Sequence, residues 1–404
     1  MSDIPVHVPQ LFGDAFALDP NPTYAALRLA GPVAWAELSP GVRGLVVTSH
    51  PAAVELLSSP AGVYTRDTRN WTALAEGRVP PDSPLLGILG WRPSLLYADG
   101  AEHARLRTVI EDCMSRVRSW RLKEITREVA LGIITELRAN GRADLLTEYA
   151  MAVPLLVFTE LLDCPPETSR GMVEACAKII DATPDAAEAA EAFGGMLAGL
   201  VALKRERPGD DLTSWMISHS AELSFEEVVS SLYTLIGAGH VPTSTWIVQA
   251  LKLLLTNDDY SGDLTAGAVS VRRAMEKALW EASPLSTFTF HFAISDTRLH
   301  GVFIPKGVPV MISHHATNTD PSLPSTISYD SRAHLAFSAG EHRCPVPVHA
   351  AIITQEAITA VLEHLWDVRL TDRGRIPNRP GLFHQCPAHL NVAFTPAAAA
   401  TPTR

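Results

Sequence analysis

The stretch that most restricts how this chain can fold runs from Glu226 to Leu255. It opens after Ser224, a suitable N-cap, with Glu226 and Glu227 in the first turn, where negative charge complements the free backbone N–H groups. It then stays apolar for many residues. A helix apolar on most of its faces must be surrounded by protein, so it crosses the interior of a large body. The 404 residues, 47% of them hydrophobic, supply enough core to surround it. Length alone suggests two or three domains. No Gly/Ser linker, charge block or repeat divides the chain, so one body over residues 20–395 is expected. An amino-terminal arm (1–19) precedes it and a disordered tail (396–404) follows. Val79 to Pro84, rich in proline, reads as a surface loop. A second helix is expected from Met114 to Ala139, with Trp120, Ile125, Val129 and Ile133 on its apolar side. Strand signals are fewer: Gly44 to Thr48, Thr287 to Ala293, and Gly301 to Ile312 with a turn at Pro305-Lys306-Gly307. Many helices with a small set of strands read as mainly α with a minor β region.

Net charge is -11, which argues against nucleic acid as a partner. Met1 to Asp19 has no basic-then-apolar signal pattern, and no stretch of about 18 apolar residues suggests a membrane span. The five cysteines (Cys113, Cys164, Cys176, Cys344 and Cys386) are scattered with no CxxC pair. That spacing argues against a zinc cage or disulfide framework and for a reducing, cytoplasmic setting.

The segment Phe337-Ser338-Ala339-Gly340-Glu341-His342-Arg343-Cys344-Pro345 carries the most chemistry. A lone cysteine is usually a small buried hydrophobe. A thiolate on haem iron, in contrast, needs nearby donors and an apolar shield. A glycine ahead of the cysteine lets backbone N–H groups aim at sulfur, and Phe337 supplies the shield. His342 and Arg343 bring basic charge for haem propionates or an electron donor.

This spacing resembles the cysteine-ligand loop of the cytochromes P-450, Phe-x-x-Gly-x-basic-x-Cys, and the remaining motifs follow in the family's order. His103 and Arg107 look like its propionate-binding His-x-x-x-Arg pair, which without the cysteine loop would read as a solvated helix face. Ala238-Gly239-His240 resembles the Ala-Gly of the distal oxygen-binding helix, although small residues also mark close helix packing. Phe292-Ala293, Asp296 and Ile304 to Gly307 resemble the strands after the family's Glu-x-x-Arg helix, and Asn318 to Pro321 their exit. The resemblance implies a cytochrome P-450 fold, haem b bound through Cys344, and cofactor contacts from His103, Arg107, His291, Phe337, Gly340 and His342. It implies catalytic positions at Ala238, Gly239 and Thr243, and substrate-facing ones at Thr234, Gly237, Leu285 and Phe288. The implied partners are a ferredoxin-like electron donor and a small-molecule substrate. Arg105, Arg116, Arg118, Arg121, Arg332 and Arg343 gather basic charge for the donor's docking face.

Four departures stand beside these matches. Val241 and Pro242 occupy the places of the family's distal acid and threonine, and neither side chain carries a proton. Pro242 also lacks the N–H that would bond the Ala238 carbonyl, so a kink is expected there. Thr243, the nearest hydroxyl, is turned about 100° from Pro242, and His240 lies roughly opposite Ala238. Lys277 and Trp280 fill the Glu-x-x-Arg positions, where a Trp280–Arg332 cation–π contact is the expected substitute. His291 stands for a propionate-binding arginine. Ser338 and Val346 replace preferred glycines, so the loop must differ locally or carry strain. The leading reading is a monooxygenase that hydroxylates or couples a small apolar substrate. The alternatives are a haem-bearing partner or scaffold for a second, active cytochrome P-450, and a variant that uses peroxide.

Overall fold

The computed structural model describes residues 7–397 apart from 181–184, 257–267, 325–328, 330, 373, 375 and 381–382. The expected interior helix runs from Phe225 to Thr256. Its start is a reciprocal capping box: the Glu227 N–H donates to Ser224 Oγ (3.2 Å), and the Ser224 N–H donates to Glu227 Oε2 (2.7 Å). The residues from Thr243 to Leu251 are all buried. Helices Ala152–Leu161, Ala186–Glu206, Ala268–Glu281 and Pro347–His364 pack around it. The helix passes through Pro242 without leaving helical conformation.

The expected Met114–Ala139 helix is two helices, Gly100–Arg116 and Ser119–Leu137. Val117 and Arg118 between them are extended (ψ 98° and 134°), and Val117 is buried. No glycine or proline marks this corner, which tertiary packing imposes. Ile125 is buried, whereas Trp120 is 66% exposed, because the second helix starts a new register there.

The principal sheet has five strands in the order Val33–Ser39, Val42–Val47, Pro309–Ser313, Thr287–Ala293 and Tyr64–Thr65. Its one parallel pairing joins Val42–Val47 to Pro309–Ser313. The strand Thr287–Ala293 has the bounds expected of it. A separate apolar core forms around this sheet, with Trp71, Phe290 and Phe292 fully buried. Part of the segment expected as an amino-terminal arm belongs to that core. Leu11 is buried, its N–H donates to the Glu37 carbonyl (3.0 Å), and a short helix spans Asp14–Leu18.

One helix, Ala186–Glu206, is long and apolar enough to cross a membrane by length and composition alone, contrary to the reading that no segment is. It packs on its neighbours Pro166–Ile180 and Phe225–Thr256. Lys204, in its last turn, is buried and ion-paired to Asp163 and Asp211.

Candidate haem-thiolate site

The segment Phe337 to Pro345 closes into a loop through its own backbone. The Cys344 N–H donates to the Phe337 carbonyl (2.9 Å), the Arg343 N–H to Gly340 (3.2 Å), and the Ser338 N–H to Leu335 (2.8 Å). Gly340 has φ +68°, and a Cβ there would collide with the Leu57 carbonyl oxygen, so both conformation and space demand glycine. Ser338 adopts φ +58°, so the strain expected of the loop falls on it; Val346, at φ -130°, carries none. Phe337 is held edge-on by Trp246 of the interior helix (5.6 Å between centroids) and lies against His334 (6.1 Å).

Cys344 lines a cavity of about 1420 Å³, open solvent included. Desolvation by the surrounding protein pushes its thiol upward in pKa. The Val346 backbone N–H and the charges of Arg107 and Arg343 oppose the shift without cancelling it. The free thiol is therefore favoured until a metal ion supplies the balancing charge, and binding must release its proton.

The interior helix also contributes to the lining, through Thr234, Ala238, Gly239, Pro242 and Thr243. Leu285 and Phe288 line it from the segment that enters the strand Thr287–Ala293. Gly237 is not part of the lining. Gly239 also serves packing, since a Cβ there would fall within 2.5 Å of the Phe158 ring. The Thr234 hydroxyl donates to Ser94 Oγ (3.0 Å) and ties the interior helix to the loop before Leu95–Tyr97. His240 faces away: its Nε2 donates to the Met151 carbonyl at 2.6 Å, and burial pulls its pKa down to about 4.

A cluster of donors adjoins the cavity. His103 is buried, with Nδ1 3.2 Å from Glu341 Oε1 and its ring 4.1 Å from that of His342. Nε2 of both histidines is buried with no hydrogen-bond partner, although His342 Nε2 lies a long 3.5 Å from Asp99 Oδ1. Burial would raise the Asp99 carboxyl, but His342, the Thr65 hydroxyl and the Arg66 N–H outweigh it and hold it at about 2. Arg107, expected to hold a propionate, instead donates to the Glu341 and Arg343 carbonyls (3.0 and 2.7 Å) and pairs with Glu111. It thus fastens the cysteine loop to the helix Gly100–Arg116. His291 is buried beside this cluster with Nδ1 unpartnered, and lies outside the cavity lining, as do His103, Arg107 and Gly340. Among the lining residues that escaped the sequence reading are His314 and Arg66. His314 has an unpartnered Nδ1 and an Nε2 2.8 Å from Thr289 Oγ1, and Arg66 is 2% exposed. Nothing local in the sequence marks an arginine for burial.

The expected Trp280–Arg332 contact does not form. The Trp280 indole N–H donates to the Ser331 carbonyl (3.2 Å), and its ring meets His334 edge-on (5.8 Å). The segment before the cysteine loop is thus anchored by one tryptophan, and Lys277 sits over Tyr329 instead. On the surface, Arg105 pairs with Glu102 and Glu227, and Arg121 pairs with Glu124. Arg116, Arg118, Arg332 and Arg343 are exposed and have no carboxylate partner among the described residues.

A thiol aimed into a large apolar cavity, beside several buried donors without acceptors, fits an iron porphyrin. The metal would take Cys344, and the porphyrin carboxylates would take the unpaired donors.

No protein-family model matches the chain. It is 30% identical over 372 residues to the cytochrome P-450 monooxygenase PikC of Streptomyces venezuelae, covering 89% of this chain and 86% of that one. It is 30% identical over 345 residues to the vitamin D(3) 25-hydroxylase of Pseudonocardia autotrophica, covering 83% of each. Among solved structures, CYP154C4 from a Streptomyces species superposes with a TM-score of 0.84 at 27% identity, over 96% of this chain and 99% of that one. The myxobacterial cytochrome P-450 CYP267B1, in complex with myristic acid, gives 0.83 at 26% identity, over 95% and 98%.

Proposed function

The chain belongs to the cytochrome P-450 family and is a monooxygenase of that type with haem b as its cofactor, and we propose that it oxidises an apolar small molecule held between Ala238 and Leu285–Phe288. The observation that carries this reading is the cavity itself, lined both by Ala238 of the interior helix and by Cys344. Haem held through Cys344 would supply the oxidising chemistry. Cys344 is the proposed iron ligand, Gly340 and Phe337 shape its loop, and His103, His342 and His291 offer donors to the porphyrin edge. Arg107 keeps the loop in register.

Substrate faces Thr234, Leu285 and Phe288. Phe288 packs against Phe290 and Phe383, each ring 6.0 Å away and edge-on. Gly237, off the lining, is given no substrate role.

Proton delivery must do without Val241 and Pro242. Because Pro242 has no N–H, the Ala238 carbonyl keeps a free lone pair at a residue that lines the cavity. Thr243 lines it too. A water accepting from the Thr243 hydroxyl and donating to the Ala238 carbonyl would hold a proton where the missing pair would have stood. The haem-bearing partner that does not turn over rests on Val241 and Pro242 alone. Identity of 30% to a named monooxygenase over 89% of the chain favours turnover.

Electrons are proposed to come singly from a ferredoxin-type donor, drawn by Arg116, Arg118, Arg332 and Arg343. Screening of such exposed charges makes reduction slower as salt rises.

The test is a titration of reductant consumed against product and peroxide formed, in wild type and in Val241→Glu/Pro242→Thr, over a panel of apolar substrates. Restoring the pair should raise the product share, since positioned acid–base groups are typically worth about 10²–10⁴-fold. A wild type that forms no product from any substrate, with a double variant no better, would sink the proposed turnover.

A further inference from the structure

Arg66 follows the strand Tyr64–Thr65 and points into the same cavity as Cys344. It is the one cavity-lining side chain, among the described residues, that carries a permanent charge. The residue is 2% exposed, with its guanidinium carbon 4.3 Å from the centre of the Phe290 ring. Nε and Nη1 have no hydrogen-bond partner. Asp99 does not supply one: its carboxylate accepts the Arg66 backbone N–H at 3.1 and 3.2 Å and the Thr65 hydroxyl at 2.5 Å. A guanidinium cannot shed its charge to escape burial; even pulled down to about 10 by desolvation it stays protonated at neutral pH. A buried, unpaired cation of this kind is costly unless an anion arrives to complete it.

The neighbours cannot take that anion's charge. Burial holds His291 well below its ordinary pKa and His314 at about 4, so both are neutral donors. The Arg107 guanidinium is committed to the cysteine-loop carbonyls and to Glu111.

We infer that Arg66 binds a carboxylate of the haem, and that it, rather than Arg107 or His291, carries the charge pairing to the cofactor. The inference rests on the haem reading above. The same fork would recognise the carboxylate of an acidic substrate, so the two sources have to be separated.

Wild type, Arg66→Leu and Arg66→Lys are each loaded with haem and, separately, with haem dimethyl ester, whose carboxylates are blocked. Transfer of the group to excess apomyoglobin is followed optically. A charge-assisted contact predicts that Arg66→Leu releases haem about 10–100-fold faster than wild type. Arg66→Lys should release it at an intermediate rate, because a point charge keeps the attraction but loses the fork. With the ester, wild type and Arg66→Leu should release at the same rate. Equal acceleration with haem and with ester would make Arg66 a structural residue and overturn the assignment. Unchanged haem release, with loss of the spectral response to a fatty-acid probe, would assign the carboxylate to substrate and overturn it as well. A wild type that takes up neither haem nor ester would refute the haem reading itself.

Discussion

Ser338→Gly should stabilise the protein, although it removes a side chain from the centre of the site. Ser338 sits at φ +58°, a left-handed conformation that costs an L-residue about 1–2 kcal/mol. Its hydroxyl oxygen is buried without a partner, a desolvation penalty of about 1–3 kcal/mol. Glycine removes both terms and adds about 0.5–1 kcal/mol of chain entropy to be lost on folding. The net gain is about 1–4.5 kcal/mol. Unfolding entropy near 2.1 cal/mol/K per residue makes that a rise of about 1–5 °C in the midpoint for a chain this long. The assay is thermal unfolding of the haem-loaded protein at fixed haem excess, with haem release measured in parallel. The reasoning fails if the midpoint falls or haem leaves faster, because the hydroxyl would then be holding something the strain argument ignores.

Gly340→Ala should act in the opposite direction, with haem retention lost and the melting midpoint lowered, since the new methyl meets the Leu57 carbonyl at a residue with φ +68°; a variant that binds haem like wild type would refute the tight-loop account. Acid should unfold the protein steeply. Desolvation pulls the pKa values of His240, His314, His315, His334 and His384 down from 6.5 to about 4. Between those limits the unfolded chain binds protons that the folded chain refuses, so stability is lost as pH falls from about 6.5 toward 4. Each histidine contributes about 1.4 kcal/mol per pH unit in that window. Circular dichroism against pH should show a multi-proton collapse near pH 5, and a fold unchanged down to pH 4 would contradict the burial of these rings.

What the sequence disclosed was mostly what local chemistry determines. The capping box at Ser224 and Glu227 and the apolar run behind it set the interior helix to within a residue or two of its observed ends. The alternation of Thr287 to Ala293 gave its strand, and the glycine at 340 marked a backbone that only glycine fits. Tertiary contacts were not legible. The corner at Val117–Arg118 has no breaker residue. Trp280 was expected to stack on Arg332, but its partners, Ser331 and His334, depend on how the chain returns 51 residues later. Arg107 looked like a propionate ligand because its spacing from His103 is one helical turn; the loop carbonyls it meets lie 234 and 236 residues on. The burial of Arg66 follows from Phe290 and the strand pairing, which no window around residue 66 contains.

The central claim is that Cys344 delivers a thiolate to haem iron. It is tested by the optical spectrum of the dithionite-reduced protein under carbon monoxide, for wild type and Cys344→Ser. The account predicts the red-shifted carbonyl band of thiolate-ligated iron in the wild type and its loss in the variant. A band that survives Cys344→Ser, or one that never forms in the haem-loaded wild type, would contradict it.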